Sequence, residues 1–222
     1  MAREIKEGIW PCVRMDVARY GGWLALLHEQ SLWAVLWFRL GSAILLIQPR
    51  LLRRLCLVPW YAGYKLIESI LGISLPLGLQ AGGGLRIWHF GGIFINRGAV
   101  IGRNCTLRQG VTLGSRHDDG PSPVLGDDVD LGTYAQVLGA VKIGDHARIG
   151  SLSVVLVDVP AGCTAVGVPA RVLQASASRQ VANRATPAAG HPAAGDTADN
   201  MAPCTPPEHS PLRSARQPST ST

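Results

Sequence analysis

The sequence has few charged residues and few aromatic ones, and its apolar runs are short. Of its 222 residues, 16% are charged and 6% are aromatic. Basic residues do not alternate with aromatic residues along a stripe, which argues against a nucleic-acid partner. The longest charge-free apolar run falls well short of the ~20 residues that a membrane-spanning helix needs. The composition therefore disfavours nucleic-acid binding and a transmembrane role.

Signals for metal binding and for secretion are also missing. The five cysteines lie far apart, with no CxxC pair and no spacing typical of a zinc site. The first stretch, MAREIKEGIWPCVRMDVARY, is interrupted by charges and contains no apolar region of a signal peptide. We therefore expect a cytoplasmic protein without a bound metal.

Three segments of the chain differ in composition. Residues 1–75 are apolar and are predicted to be helical, and residues 76–174 carry a repeat. Residues 175–222 are rich in Ala, Pro, Ser and Thr and have almost no large apolar side chains. Because such a segment cannot bury enough surface to offset chain entropy, we predict that it is disordered.

The N-terminal segment allows two interpretations. In WLALLHEQSLWAVLWFRLGSAILLI the apolar residues cover more than one helical face, which favours helices packed on one another or at a subunit interface. Attachment to the inner face of a membrane is the alternative. It rests on tryptophans that lie near basic residues: Trp33, Trp37, Trp60, Arg50, Arg53, Arg54 and Lys65.

The middle segment has an aliphatic residue at every sixth position. These residues are Ile95, Ile101, Leu107, Leu113, Leu125, Leu131, Val137, Ile143, Ile149 and Val155. Small or branched residues come four positions later: Ala99, Cys105, Val111, Val129, Ala135, Val141, Ala147, Ser153 and Val159. A period of six fits one face of a three-sided parallel β-coil. We predict a mainly β fold, a parallel β-helix preceded by a short α-helical region.

The repeat is interrupted once, between Leu113 and Leu125. The residues in between, GSRHDDGPSPV, are polar and rich in Gly and Pro. They are predicted to leave the coil as a loop. Loops that protrude from a regular scaffold often carry function.

Several motifs resemble the hexapeptide-repeat acyltransferases. They are the hexads, the histidine in RIWHFGGI, the segment TLRQGVTLG and the closing VGVPARVL. The resemblance is greatest to the serine O-acetyltransferases and to related acetyltransferases of surface-polysaccharide synthesis, and it covers roughly residues 70–173. It implies a left-handed β-helix, a homotrimer or dimer of trimers, and acetyl-CoA as co-substrate between neighbouring prisms.

His89 matches the catalytic histidine of these enzymes. Histidine, with a pKa near neutrality, is suited to accept the proton of an acceptor hydroxyl. Backbone N–H groups at the coil corners would stabilise the oxyanion. Without the resemblance, a histidine between Trp88 and Phe90 would be interpreted as a hydrogen-bonded core residue, so the family match is what favours catalysis.

The resemblance also implies positions for the co-substrate and the acceptor. Acetyl-CoA would lie along corner residues and one basic residue: Gly132, Thr133, Gly150, Ser151 and Arg171. A plain surface role is the alternative for Arg171. Trp88, His117 and Ser122 are the candidate acceptor-binding residues. No metal is expected, because His89, His117 and His146 are not clustered as in the β-helical carbonic anhydrases.

Departures from the serine acetyltransferase pattern concern the acceptor. An aspartate precedes the catalytic histidine in that family, whereas Trp88 holds that place here. The stretch GISLPLGLQ lacks a second aspartate, and Pro121 and Ser122 replace an Arg-His pair. We therefore expect an O-acetyltransferase that acts on a saccharide in surface or exopolysaccharide synthesis. Serine O-acetylation for cysteine biosynthesis and a non-catalytic trimeric scaffold are the alternatives.

Overall fold

The structure is a computed structural model that describes residues 8–118 and 120–173. Helices form its first part: α1 (Ile9–Arg19), a 3-10 helix (Trp23–Leu27), α2 (Gln30–Leu45) and α3 (Arg50–Leu71). None of the described helices is long and apolar enough to cross a membrane. The C-terminal segment predicted to be disordered, residues 175–222, lies outside the described residues.

Helices α2 and α3 pack through two tryptophans that exchange hydrogen bonds. Trp37 Nε1 donates to the carbonyl oxygen of Trp60 at 3.1 Å, and Trp60 Nε1 donates to that of Trp37 at 2.9 Å. Each indole lies on a glycine of the other helix. A Cβ atom at Gly63 would come within 2.3 Å of the Trp37 ring, and one at Gly41 within 2.5 Å of the Trp60 ring. Glycine at these two positions therefore lets the helices approach.

A buried ion pair joins the helices to the β-coil. Asp16 and Arg39 are 0% and 4% exposed, and Arg39 Nε lies 2.8 Å from Asp16 Oδ2. Arg39 also donates to the carbonyl oxygens of Ala81 and Gly82, while Asp16 Oδ1 accepts from the Leu85 N–H at 2.8 Å. These hydrogen bonds offset the desolvation of two buried charges. The network fixes α1 and α2 against the first coil.

Short strands make up the rest of the described chain. They are β1 (Ile73–Ser74), β2 (Gln80–Ala81), β3 (Arg86–Trp88), β4 (Ile93–Ile95), β5 (Val100–Ile101), β6 (Thr106–Arg108), β7 (Thr112–Gly114), β8 (Val124–Leu125), β9 (Asp130–Leu131), β10 (Gln136–Leu138), β11 (Lys142–Ile143), β12 (Arg148–Ile149), β13 (Val154–Val155), β14 (Thr164–Gly167) and β15 (Ala170–Leu173). Since α3 ends at Leu71, the coil begins directly after it.

The strands form three sheets that are the faces of a prism. Sheet A has the order β1-β4-β7-β10-β13, sheet B has β2-β5-β8-β11, and sheet C has β3-β6-β9-β12-β14-β15. Neighbouring strands are parallel except in the closing hairpin of β14 and β15. Up to β13, every third strand returns to the same sheet, as a six-residue period per face requires.

The predicted residues fill the prism. All ten aliphatic residues of the repeat are at most 5% exposed, and the nine small or branched residues are at most 2% exposed. The buried hydroxyl of Ser153 accepts a hydrogen bond from the Gly167 N–H at 3.1 Å, so this one polar member is satisfied. The predicted β-helix is confirmed.

The interrupted part of the repeat forms a loop at the edge between sheets A and B. Strand β7 ends at Gly114 and β8 begins at Val124. Arg116 anchors the loop, because its guanidinium donates to the carbonyl oxygens of Leu138 and Leu156 in the next two coils. The loop therefore runs along this edge of the prism.

Candidate functional site

His89 lies on a turn that is two residues longer than its equivalents. Counting back six positions from Ile95 reaches His89, so an unbroken repeat would place the histidine in the core. Instead Ile87 points inward and is 0% exposed, eight positions before Ile95. The equivalent intervals in the following coils are six positions: Leu107 to Leu113, Leu131 to Val137 and Ile149 to Val155.

The longer turn places the histidine outside the prism. His89 has a left-handed φ of 63°, and Gly91 and Gly92 follow with φ of 105° and 67°. A left-handed backbone conformation costs a non-glycine residue ~1–2 kcal/mol, so His89 is strained in this turn. Gly91 and Gly92 adopt the same conformation without that cost. The imidazole is exposed and lies 6.4 Å from the Trp88 ring, centroid to centroid. The core-histidine interpretation is therefore wrong.

Five of the predicted residues lie on one edge of the prism, where sheet C turns into sheet A. We call this the C–A edge. His89 follows β3, while Gly132 and Thr133 follow β9, and Gly150 and Ser151 follow β12. Backbone bonds link the successive turns: Gly110 N–H to Gly91 O at 3.0 Å, Tyr134 N–H to Gln109 O at 2.9 Å and Leu152 N–H to Thr133 O at 2.8 Å.

Arg171 lies at the far end of the same edge. Arg171 pairs with Val166 in the closing hairpin. Val166 comes directly after Ala165, which is the strand partner of Ile149 on β12. The Arg171 side chain is exposed. Five strand spacings of ~4.8 Å separate β3 from β15, so Trp88 and Arg171 are about 24 Å apart along the edge. The C–A edge is thus a long strip with a histidine at one end and an arginine at the other.

The glycines of the C–A edge let successive coils approach closely. A Cβ atom at Gly132 would lie 2.5 Å from the Ser151 nitrogen, and one at Gly150 would lie 2.7 Å from Val166 Cγ1. Any larger residue would push the coils apart or protrude. These two glycines are therefore required for the close packing of successive coils along the strip.

One face of the indole of Trp88, the candidate acceptor-binding residue next to His89, is covered. The Arg86 guanidinium lies 3.7 Å from the centroid of its indole, which is 38% exposed. Arg86 is held in place by a hydrogen bond to the carbonyl oxygen of Arg19, and burial lowers the pKa of Arg86. An acceptor can therefore contact only the remaining face and the edge of the indole.

Two features of the coil that follows His89 could not be predicted from the sequence. Arg108, the strand partner of Trp88, forms a partly exposed ion pair with Asp130 at 2.9 Å. Gln109 follows, and its Oε1 atom is buried without a hydrogen-bond partner among the described residues. Such an atom is a place where a ligand N–H can bind. Their only signal in the sequence is a pair of adjacent polar residues, Arg108 and Gln109, at a hexad corner.

The other predicted acceptor residues lie on a different edge. His117 is exposed in the loop at the edge between sheets A and B. Ser122 lies at the same edge, where a Cβ atom at Gly98 would be 3.0 Å from its Oγ. Sheet A separates both from His89 within one chain. His146 is exposed at the third edge, and among residues 8–118 and 120–173 no cluster could hold a metal ion.

No protein-family model matches the chain. Among curated proteins, a serine acetyltransferase of Helicobacter pylori is 36% identical over 160 residues, which cover 71% of this chain and 90% of that protein. A serine acetyltransferase of Synechococcus elongatus is 39% identical over 129 residues, which cover 57% of this chain and 52% of that protein. The chain thus matches nearly all of one relative and about half of the other.

Solved structures agree with these relatives. Soybean serine acetyltransferase in complex with serine is 29% identical with a TM-score of 0.65, and the match covers 74% of this chain and 69% of that one. A serine acetyltransferase in complex with CoA is 27% identical with a TM-score of 0.63, over 74% and 69% of the two chains.

Three observations point to the same family. They are the β-coil, the exposed histidine at its C–A edge and the extent of the match to the Helicobacter pylori protein. The chain belongs to the serine acetyltransferase family of hexapeptide-repeat proteins.

Proposed function

We propose that this protein transfers an acetyl group from acetyl-CoA to the hydroxyl of serine, with His89 as general base. The observation that carries the proposal is the exposed position of His89 on the C–A edge. The family supports it, because relatives of this chain are serine acetyltransferases and have been seen with serine and with CoA.

The C–A edge fits the shape of acetyl-CoA. The co-substrate is long and thin, with a thioester at one end and phosphates at the other. The edge is about 24 Å long, with His89 near β3 and the cation Arg171 on β15. Between these ends the half-buried Thr133 and the exposed Ser151 offer hydroxyl groups, while Gly132 and Gly150 keep the successive coils close together. These residues would hold the thioester beside His89.

The chemistry requires a base next to the acceptor. An alcohol is a weak nucleophile at neutral pH, and general-base catalysis typically contributes ~100- to 10,000-fold to the rate. His89 accepts the hydroxyl proton as the oxygen attacks the thioester carbonyl carbon. The C–S bond then breaks, and the proton passes from His89 to the leaving CoA thiolate. The products are the O-acetyl ester and CoA.

Backbone donors for the oxyanion are limited at this edge. The N–H groups of Gly110, Tyr134 and Leu152 are already donated to the preceding coil. The longer turn, residues 89–92, therefore offers the backbone groups that lie nearest to His89. A preorganised N–H donor of this kind typically contributes ~100- to 1,000-fold to kcat.

Charged groups beside Trp88 favour an amino-acid acceptor. Serine carries an ammonium and a carboxylate, and the partly exposed Arg108–Asp130 pair offers one charge of each sign on the neighbouring strand. This pair would take the part of the aspartates that the family carries and this sequence lacks.

A saccharide hydroxyl is the second candidate acceptor. Trp88 supports it, because the face of the indole that Arg86 does not cover is available for stacking on a sugar ring. A neutral sugar has no carboxylate for Arg108 to bind.

Release of the CoA thiol, followed with single acceptors, tests the proposal. Serine should stimulate release, and mass spectrometry should identify O-acetylserine. Stimulation by neutral saccharides or nucleotide sugars but not by serine would replace the first candidate with the second. Without stimulation by either class, the coil would be a scaffold.

The proposal includes assembly into a homotrimer or a dimer of trimers. One chain carries His89 and the loop residues His117 and Ser122 on different edges of its prism. In a three-fold assembly, the loop of one chain can approach the C–A edge of another. Sedimentation analysis of the purified protein gives the number of chains.

A further inference from the structure

Helix α3 carries an apolar stripe on its outer face. Its members recur three or four positions apart: Leu51, Leu55, Val58, Ala62, Leu66 and Ile70. This spacing places them on one side of a helix with 3.6 residues per turn. The five larger side chains are all at least 61% exposed. The stripe runs along nearly the whole helix.

The core of the protein does not use this stripe. Helix α3 packs on α2 with its opposite face, through Trp60, which is 3% exposed, and its end is anchored by Leu71. Gly63 receives the Trp37 ring on that inner face. The apolar residues of the outer face are therefore left for another surface to cover.

Basic side chains border the stripe on one side. On a wheel of 100° per residue, Lys65 and Arg54 fall about 20° and 40° from Val58, and Arg50 falls about 80° from it on the same side. Tyr61 lies along the same border, 55% exposed, with the Lys65 ammonium 5.8 Å from its ring. Glu68 is the one acidic residue of α3, and its carboxylate is bound by Lys65 at 2.6 Å and by Tyr64 at 3.0 Å.

We propose that α3 binds to the surface of a membrane that contains anionic lipids. Its apolar stripe would enter the boundary between headgroups and acyl chains, and its basic border would lie against lipid phosphates. Tyr61 suits the headgroup level, because its ring is apolar and its hydroxyl is polar.

Charge complementarity favours lipid over a second copy of the chain. In an antiparallel two-fold pair of α3 helices the basic borders would lie on the same side and meet each other, and the single carboxylate on each helix is already paired. Lipid phosphates supply the negative charge that such a pair lacks. The proposed contact between α3 and the membrane does not depend on the identity of the acetyl acceptor.

Sedimentation of the full-length protein with vesicles tests the proposal. Binding to vesicles of phosphatidylcholine and phosphatidylglycerol in equal parts should be strong, and binding to phosphatidylcholine alone weak. Each basic residue near an anionic surface contributes about fivefold in affinity, so Arg50→Gln/Arg54→Gln/Lys65→Gln should weaken binding about 100-fold. Raised salt should weaken the wild type more than this variant.

A double substitution tests the apolar stripe. Leu55→Glu/Leu66→Glu changes two side chains that are 62% and 61% exposed, so it should leave the fold intact and abolish vesicle binding. Val157→Glu/Leu173→Glu is the matched control, because it adds the same charge at exposed apolar residues of the β-coil and should bind like the wild type. Both variants should keep the wild-type rate of CoA release with a soluble acceptor.

Two results would overturn the inference. The first is equal binding of wild type and Leu55→Glu/Leu66→Glu to anionic vesicles. The second is a wild-type protein that does not bind vesicles and whose mass in sedimentation is twice that of Leu55→Glu/Leu66→Glu. The stripe would then be an interface between copies of the chain.

Discussion

Ile87 and Ile95 both point into the prism although eight positions separate them, and His89 lies on the longer turn between them. Elsewhere on the C–A edge the interval is six positions, and the turn residue is Gly110, Tyr134 or Leu152. The site therefore depends on the length of one turn as much as on the identity of its histidine.

Replacement of His89 should slow acetyl transfer strongly without unfolding the protein. His89→Asn is the suitable variant, since asparagine tolerates the left-handed φ of 63° at this position. Loss of the general base should lower kcat by roughly 100- to 10,000-fold. His146→Asn is the matched control, because His146 is also exposed at a φ of 58° but lies on another edge. Full activity of His89→Asn would show that His89 is not the base.

A bulky side chain on the C–A edge should block the co-substrate. Ser151 is exposed, so Ser151→Trp should leave the melting temperature unchanged while it raises KM for acetyl-CoA roughly tenfold, a loss of ~1.4 kcal/mol. Lys142→Trp, exposed on sheet B, should change neither value. Equal KM values for the two variants would place the co-substrate elsewhere.

Arg171→Gln should weaken binding of the phosphate end of acetyl-CoA. A charge-assisted hydrogen bond contributes ~1.5–3 kcal/mol, so KM should rise roughly 10- to 100-fold. S-acetylpantetheine, which lacks the nucleotide, should be used equally by variant and wild type. Arg103→Gln is the control, because Arg103 is exposed on the edge between sheets B and C. If Arg171→Gln behaves like Arg103→Gln, Arg171 is a plain surface residue.

Removal of one partner of the buried Asp16–Arg39 pair should destabilise the fold strongly. Arg39→Met leaves the Asp16 carboxylate buried without its cation and removes donors to Ala81 and Gly82. We expect a loss of about 3–5 kcal/mol in the free energy of unfolding, measured with urea. Adding Asp16→Asn should recover part of this loss. If the loss of unfolding free energy in the double variant equals the sum of the losses in the two single variants, the two charges are not coupled.

The buried thiol of Cys105 should make the protein less stable at alkaline pH. Burial raises the pKa of Cys105 from 9.0 to about 12, and burial also raises the pKa of Tyr20. Above pH 9.0 the unfolded chain loses the thiol proton while the folded chain keeps it until about pH 12, so stability falls in this window. One thiol contributes a slope of up to ~1.4 kcal/mol per pH unit.

Urea titrations at several pH values check the Cys105 prediction. Cys105→Ala should show a smaller decrease of the unfolding free energy across the alkaline window than the wild type. The Tyr20 contribution should remain in both proteins. Identical slopes would contradict the assignment.

The periodic part of the structure could be predicted from the sequence because burial there follows a fixed spacing. Ten aliphatic residues in register were enough to place the core from Ile95 to Val155. The loop after Leu113 followed from its polar composition. The first coil could not be predicted in this way, because the same spacing extended backward from Ile95 would place His89 inside the prism. A resemblance, and not the periodicity, identified the histidine.

Contacts between distant segments could not be predicted from spacing. The stacking of Arg86 on Trp88 depends on how α1 lies against β3, where the Arg19 carbonyl oxygen orients the guanidinium. The Arg108–Asp130 pair joins residues on successive coils, and their charges gave no signal within one hexad. The sequence favoured a saccharide on the evidence of missing aspartates alone, because neither of these contacts could be predicted from it.

The two added residues in the turn of His89 also break the translational symmetry of the solenoid. In an ideal coil each turn is equivalent to the next, so an elongated ligand could bind in several registers along one edge. A single turn of different length makes one register unique, so in the proposed complex the thioester would meet only one position along the strip. Shortening that turn would leave the prism intact and remove the position at which we propose that the reaction begins.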